Sequence, residues 1–250
     1  MAVSVENPID EGVRLLDEAG AAAVELRLTG GVAIARICPS AVSHPRLRRE
    51  YSDIDFIGTS RAAGEIEGFF AAIGYLPDDE FNSLHGEHRL FFTDADRNRE
   101  ADVFLDQVRA CHTLDLRERL TVWETTLPPA DLLLSKLQVV ETNEKDFQDI
   151  FAILLDHPLT DDDAGISLAR ITDICAKDWG WWRTVTMVIE KSAARAEETL
   201  EPSEAQVVKG RLEELRAAIE DAPKSRRWKL RARVGDRVPW HDDPEEVAHG

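Results

Sequence analysis

Cysteine is scarce in this chain, and long apolar runs are missing from it. The three cysteines, Cys38, Cys111 and Cys175, are widely spaced and form no Cys-x-x-Cys pair. This pattern argues against a disulfide scaffold and against a zinc ribbon. No apolar run approaches the ~20 residues of a membrane span, and the first residues show no basic segment followed by an apolar one, as a secretory signal would. We therefore expect a cytoplasmic protein.

Basic residues are also in short supply, with 30 Lys and Arg against 48 Asp and Glu. The net charge of -18 argues against a protein that coats nucleic acid non-specifically. One short stretch near the C-terminus departs from this average, and its seven cations are Lys224, Arg226, Arg227, Lys229, Arg231, Arg233 and Arg237. Such a cluster can meet a phosphate backbone, which makes RNA a candidate partner. The competing interpretation is that Trp228, Leu230 and Val234 pack this stretch onto the rest of the protein.

The length of 250 residues allows one or two domains, and a hydrophobic content of 43% is enough for a core. The patterns predict an α/β protein in which a small mixed sheet precedes a helical part. We expect a core domain over residues 1–125, a helical domain over 126–223 and a basic C-terminal segment over 224–250. Residues 76–86 are polar and predict an irregular stretch, whereas 166–177, 181–200 and 203–219 predict helices.

An Asp-x-Asp pair lies in a short apolar stretch that predicts a buried strand. Asp53 and Asp55 alternate with Ile54 and Phe56, so both carboxylates project from one face of the strand. Carboxylates about 7 Å apart repel each other, and a divalent cation between them removes that cost. Mg²⁺ is often held by one or two carboxylates together with substrate phosphates. The alternative is a solvated, Asp-rich turn.

A glycine pair follows the strand predicted for residues 24–28. After Thr29 come Gly30 and Gly31, and a helix is predicted from Val32 onward. Paired glycines at a helix N-terminus expose backbone N–H groups that can bind a phosphate. The alternative is an ordinary turn.

Two short apolar runs further along the chain predict a β-hairpin, over residues 89–93 and 101–105. Asp102 lies inside the second run, although strand interiors are depleted in Asp. Its presence is explained if this strand lies beside Asp53 and Asp55 and supplies a third carboxylate. Glu100 would share that face and assist the site.

The order of these elements over residues 20–156 resembles that of the nucleotidyltransferase superfamily of the DNA polymerase beta type. The resemblance implies that a glycine turn holds the triphosphate of a nucleotide, that two acids bind Mg²⁺, and that a third acid completes the metal site and activates the acceptor hydroxyl. In this chain those residues are Gly30 and Gly31, then Asp53 and Asp55, then Asp102.

Residues 131–136 and 143–149 are similar to the C-terminal signature of the AbiEii/AbiGii-toxin group within that superfamily. This chain departs from the group in having Asn143 where an Arg usually stands, and in an extra residue between Arg49 and Ser52. The resemblance implies nucleotide-binding and catalytic roles for Lys136 and a nucleotide-binding role for Asp146.

Both of these residues also have a structural interpretation. Lys136 falls three residues after Leu133 in the apolar stripe of its predicted helix, and a Lys in that position is rarely left unpaired. It therefore contacts either a phosphate or a buried carboxylate. Asn143 and Asp146 have the spacing of a helix N-cap and its N3 partner.

The function that the resemblance implies is Mg²⁺-dependent transfer of a nucleoside monophosphate from an NTP to an acceptor hydroxyl, with a two-metal site. RNA, including tRNA, is the favoured acceptor. One alternative is a catalytically silent binding or regulatory protein of a toxin–antitoxin type system, and another is an enzyme that modifies a small molecule such as an aminoglycoside. We expect Trp179, Trp181 and Trp182 to pack in a core rather than to stack on bases.

Overall fold

The computed structural model describes residues 6–97 and 99–243. The protein is of the mixed α/β class, as the sequence predicts. Its elements are, in chain order, α1 (Pro8–Ala21), β1 (Arg27–Leu28), α2 (Gly30–Ile37), α3 (Pro39–Ser43), β2 (Asp53–Gly58), α4 (Ala63–Ala72), β3 (Leu76–Pro77), α5 (Asp79–His85), β4 (Arg89–Asp94), β5 (Arg99–Leu105), β6 (Gln107–Arg109), β7 (Thr113–Asp115), α6 (Pro129–Leu137), α7 (Glu144–Asp156), β8 (Leu159–Thr160), β9 (Ile166–Ser167), α8 (Leu168–Lys177), α9 (Trp179–Thr199), α10 (Pro202–Asp221) and α11 (Arg226–Ala232). None of the helices within the described ranges combines the length and the apolar character that a bilayer crossing requires.

The chain forms two compact units. The first, which we call the sheet unit, takes the described residues up to Ile37 together with Arg49–Val108 and Asp115–Leu127. The second, the helical unit, takes Cys38–Arg48, Arg109–Leu114 and the described residues from Pro128 onward. The division into residues 1–125, 126–223 and 224–250 stays a prediction, and residues 244–250 of the basic segment lie outside the described part of the chain.

A five-stranded mixed sheet organises the sheet unit, with the strand order β1-β2-β5-β4-β3. Strands β2 and β5 are parallel, whereas β1 pairs with β2, β4 with β5, and β3 with β4 in antiparallel fashion. The antiparallel pairing of β4 and β5 confirms the hairpin that the two apolar runs predict. The parallel pairing brings the Asp-x-Asp strand directly beside the strand that carries Asp102.

One face of this sheet forms the apolar core of the unit. Phe92 of β4 stacks on Phe70 of α4 with ring centroids 4.3 Å apart, and Phe56 of β2 meets Phe70 edge-on at 6.0 Å. All three rings are fully buried, and burial of each contributes about 1.5–3 kcal/mol. Since strand side chains alternate between faces, the burial of Ile54 and Phe56 leaves Asp53 and Asp55 on the opposite face.

Local signals account for several boundaries. Pro8 begins α1, and the Asn7 side chain accepts a hydrogen bond from the Ile9 N–H at 3.0 Å. After α4, Gly74 takes a left-handed conformation with φ of 94°, which favours glycine. The predicted helices at 166–177, 181–200 and 203–219 are confirmed as α8, α9 and α10, within a few residues at their ends.

Two local predictions are wrong. Residues 76–86 are not irregular but contain β3 and α5, since Asp78 caps that helix by accepting from the Phe81 N–H at 2.9 Å, and Phe81 packs edge-on against Phe91. The strand predicted for 24–28 pairs only at Arg27–Leu28. It starts late because the Val24 N–H still donates to the Ala19 carbonyl at the end of α1.

The basic C-terminal stretch forms α11, which the sequence patterns did not indicate. Trp228 of this helix packs edge-on against Trp182 of α9 with centroids 5.3 Å apart. Leu230 and Val234 remain 62% and 40% exposed. Of the three apolar residues that would fix this stretch, Trp228 therefore does so and the other two face solvent.

Candidate active site

The carboxylates of β2 lie next to those of β5. In the parallel register Asp53 is opposite Glu100, and Asp55 is opposite Asp102. Residues directly opposite each other in a sheet project from the same face, so all four acids share the face that the core leaves uncovered. Asp53 is exposed, Asp55 is half-buried and Asp102 is 5% exposed. The structure thus brings together the three acids that the sequence singles out, with Glu100 beside them.

The Gly30–Gly31 turn lies against the same strand. The Thr29 N–H donates to the Asp55 carbonyl at 2.9 Å, which fixes the start of α2 beside β2. Gly30 has a φ of 61°, and a Cβ on this residue would stand 1.8 Å from Oδ2 of Asp55. A side chain at residue 30 would therefore displace the Asp55 carboxylate, so that the close approach of α2 to this acid requires glycine.

A cation also lies at this helix N-terminus. A Cβ on Gly31 would stand 2.2 Å from Nη2 of Arg49, so the guanidinium rests directly on the glycine. Arg49 in turn lies over the Tyr51 ring, 4.3 Å from its centroid. The N-terminus of α2, which is eight residues long, thus combines backbone N–H groups with a positive side chain, and both attract anions.

Asp102 is held by Arg89, and the sequence patterns gave no sign of this contact. Nε of Arg89 donates to both carboxylate oxygens at 2.7 and 2.9 Å, and Nη2 also donates to Oδ2. The guanidinium lies close to the rings of Phe81 and Phe104, and both contacts favour this position of the cation. The pair can be recognised only from the register of β4 and β5. In that register Phe91 is opposite Asp102, and Arg89 is its diagonal neighbour two residues earlier on β4.

This ion pair bears on the predicted metal site. No group of three or more His, Cys, Asp or Glu side chains among residues 6–97 and 99–243 is arranged to hold a metal ion. Asp53 and Asp55 offer hard oxygen donors on one face, and a pair of this kind fits Mg²⁺. Asp102 does not join them as a ligand while Arg89 holds it. Its roles as a metal ligand and as a base stay predictions, as does the two-metal site.

Lys136 belongs to the helical unit, where two carboxylates surround its ammonium group. Nζ lies 3.1 Å from Oδ1 of Asp146 and 2.9 Å from Oδ2 of Asp149. The side chains are 16%, 9% and 2% exposed, respectively. Burial lowers the pKa of Lys136, but the charges and hydrogen bonds of Asp149 and Asp146 outweigh burial and raise it. The arrangement is that of a buried structural ion pair, and the phosphate-binding role of Lys136 stays a prediction.

Asp146 also has a structural task. Asn143 caps α7 by accepting from the Asp146 N–H at 3.1 Å, and the Asp146 side chain accepts from the Asn143 N–H at 3.2 Å. This reciprocal capping box is the arrangement that the spacing predicts. Both carboxylate oxygens of Asp146 are therefore engaged, Oδ1 with Lys136 and Oδ2 with the helix cap. Its role in nucleotide binding stays a prediction.

No protein-family model matches the chain, and no curated protein matches it. Among solved structures, the chain is similar to the antibiotic-resistance factor ANT(2'')-Ia, at 11% identity and a TM-score of 0.37 over 85% of this chain and 94% of the other. It is also similar to a protein from H. pylori provisionally assigned as a nucleotidyltransferase, at 12% identity and a TM-score of 0.41 over 87% and 97%. Likeness at this level does not establish a shared activity.

Proposed function

We propose that the protein transfers a nucleoside monophosphate from an NTP to an acceptor hydroxyl. The observation that carries this proposal is the contact between the α2 N-terminus and β2, where the Asp55 carboxylate lies against Gly30. An anion-binding helix terminus and a pair of hard carboxylates thus meet at one place. A nucleoside triphosphate with its divalent cation carries the two charges that such a site complements.

Different residues of the sheet unit bind the nucleotide, hold the metal and accept the proton. The N–H groups of Gly30 and Gly31, together with Arg49, bind the triphosphate and orient it. Asp53 and Asp55 would hold Mg²⁺, which when bound offsets the negative charge of the phosphates. The acceptor oxygen forms a bond to the α-phosphorus, the bond from that phosphorus to the leaving pyrophosphate breaks, and Asp102 takes the hydroxyl proton. Positioning and charge stabilisation supply most of the rate in such reactions.

For Asp102 to act as this base, its carboxylate has to leave Arg89. Arg89 is 23% exposed at its side chain, so its guanidinium can turn toward solvent or toward a bound phosphate. The same ion pair favours a second candidate function, a catalytically silent binding protein of a toxin–antitoxin type system, in which Asp102 stays locked. The two functions differ in whether pyrophosphate is released.

The acceptor that we propose is RNA. Among the described residues, the side chains of Arg226, Arg227, Lys229, Arg233 and Arg237 make no ion pair or hydrogen bond. Although the protein carries 48 acidic residues, no acid in the described part of the chain pairs with these cations, so their charge is not consumed locally. Unpaired cations on one short segment attract a phosphate backbone.

The nucleotide site is tested by the double variant Asp53→Asn, Asp55→Asn. We expect this variant to fold and to lose Mg²⁺-dependent NTP binding in isothermal titration calorimetry, because amides are poor ligands for a hard cation. The matched control is Asp161→Asn, Asp162→Asn, which removes the same charge from an exposed loop and should bind as the wild type does. Equal binding by both variants would remove the basis for the metal assignment.

A further inference from the structure

The helical unit contains a cavity of about 510 Å³ that the nucleotide site does not use. Its lining comes from three segments, which are residues 111–113, 177–181 and the C-terminal part from Arg227 to Asp242. The volume lies within the range of small-ligand sites, which is about 300–1,000 Å³. Tryptophan rings and cationic side chains share the walls of the cavity, and we name it the tryptophan cavity.

Four tryptophans line the cavity, and they are Trp179, Trp181, Trp228 and Trp240. Trp179 is buried, whereas Trp228 and Trp240 are only half-buried. Trp179 and Trp240 meet at 83° with centroids 6.3 Å apart, and Nε1 of Trp240 donates to the Thr184 hydroxyl at 3.2 Å. The rings are therefore held at an angle to one another instead of being stacked. A cation lies over one face of each ring, which is Arg231 at Trp179, Arg183 at Trp240 and Lys224 at Trp228.

The loop around Trp240 packs closely against the backbone of Gly180 at the start of α9. A Cβ on Gly180 would stand 2.5 Å from the Trp240 carbonyl oxygen. Glycine at this helix position therefore allows the loop around Trp240 to lie directly on the start of α9. Arg231 holds the other side, because it donates to the carbonyls of Gly235 and Val238 at 2.7 and 2.8 Å and lies over the Trp179 ring.

One lining cation is left over from these structural contacts. Lys177 pairs with Asp173, and Arg231 is engaged as described. Arg227 lines the cavity and is exposed, and its side chain makes no hydrogen bond or ion pair with any described residue. His112, which also lines the cavity, adds no charge near neutral pH because burial lowers its pKa to about 4.

We propose that the tryptophan cavity binds one base of a single-stranded RNA, which stacks on the half-buried ring of Trp228 or Trp240, while Arg227 contacts the adjoining phosphate. Every base has a π-face, so stacking of this kind tolerates any sequence, and an aromatic surface beside a basic groove is the usual arrangement in single-strand binders. A duplex keeps its bases stacked inside and cannot fill the cavity. The inference rests on the proposed function only in taking RNA as the acceptor.

The test measures binding of a fluorescent single-stranded RNA of about ten nucleotides, a length typical of such sites, by anisotropy at fixed salt. Arg227→Gln should weaken binding about 10-fold, as expected for loss of one charge-assisted contact. Arg226→Gln is the matched control, because Arg226 is the neighbouring exposed cation on α11 and does not line the cavity. We expect this control to weaken RNA binding by less than about 3-fold, because it removes one positive charge from the surface and no contact in the cavity.

Trp228→Leu should weaken the same binding by about 5- to 150-fold, the range for one stacked base. If this variant does not fold in a thermal melt, the comparison of Arg227→Gln with Arg226→Gln still decides. Equal effects of the two arginine variants would overturn the proposal. So would equal competition by single-stranded RNA, duplex RNA and heparin, because heparin has charge but no bases.

The measurement is repeated with the Asp53→Asn, Asp55→Asn variant, which leaves the helical unit unchanged. Retained RNA binding together with lost NTP binding supports both proposals. RNA that binds at the tryptophan cavity of a protein that transfers no nucleotide supports the cavity and refutes the transfer reaction. Nucleotide transfer together with equal RNA affinity in both arginine variants supports the transfer reaction and refutes the cavity.

Discussion

Replacing Lys136 with methionine removes a cation from between two buried carboxylates while keeping most of the apolar stem. The ammonium lies 3.1 Å from Asp146 and 2.9 Å from Asp149, and it offsets the charge of both. Without it, two acids one helical turn apart on α7 would face each other inside the helical unit. If Lys136 is structural, as this geometry indicates, Lys136→Met should destabilise the fold.

The magnitude follows from the burial of the partners. Breaking a buried ion pair by removing one partner costs about 3–5 kcal/mol, since the other charge stays buried without compensation. Asp149 is 2% exposed and Asp146 is 9% exposed, so solvent offers them little relief. We therefore expect Lys136→Met to lower the free energy of unfolding by about 3 kcal/mol or more.

The assay is urea unfolding followed by circular dichroism. The matched control is Lys177→Met, which breaks an exposed pair with Asp173, 71% and 52% exposed, and should cost no more than about 0.5 kcal/mol. Adding Asp149→Asn to Lys136→Met should restore part of the lost stability, because one of the two uncompensated charges is gone. A Lys136→Met variant that is as stable as the control, but binds NTP at least 10-fold more weakly, would refute the structural reading and establish a phosphate contact.

Three further predictions concern single side chains. Burial lowers the pKa of His112 from 6.5 to about 4, so the wild type should lose stability as the pH falls from 6.5 toward 4. By pH 5 the free energy of unfolding, measured in urea, should fall by about 2 kcal/mol more in the wild type than in His112→Gln. Gly30→Ala puts a methyl group on the β2 carboxylate that faces it and should weaken Mg²⁺–NTP binding at least 10-fold in calorimetry, whereas Gly68→Ala, with open space around it, should leave binding unchanged. Arg89→Gln removes the cation beside the buried Asp102 and should lower the free energy of unfolding by about 2 kcal/mol. This is less than for a fully buried pair, because the Arg89 side chain is 23% exposed. An unaltered unfolding curve would show that the pair contributes little.

Features with a local cause could be predicted from the sequence. The Asn7 cap, the Asn143–Asp146 capping box and the hairpin of β4 and β5 all arise from neighbours in the chain. The position of Asp102 was predictable for a different reason. An acid within an apolar run needs a polar neighbour, and the strand with Asp53 and Asp55 was the one that could provide it.

The features that were missed depend on contacts between distant parts of the chain. The Arg89–Asp102 pair requires the register of β4 and β5 to be known. Helix α5 is short and has no buried residue, so it shows no apolar stripe in the sequence. In α11 the cations obscure a pattern that would indicate a helix, and Trp228 reveals its role only once Trp182 is placed beside it.

In the proposed reaction, the Asp53–Asp55 face catalyses nucleotidyl transfer. The most direct measurement supplies each NTP, labelled at the α-phosphate, with Mg²⁺ and total tRNA, and follows both the label and pyrophosphate. We expect the wild type and the Asp161→Asn, Asp162→Asn control to release pyrophosphate and to place the label on RNA in equal amounts, and the Asp53→Asn, Asp55→Asn variant to do neither. Nucleotide binding by the wild type without release of pyrophosphate from any NTP would contradict the proposed transfer reaction. It would favour the catalytically silent binding protein instead.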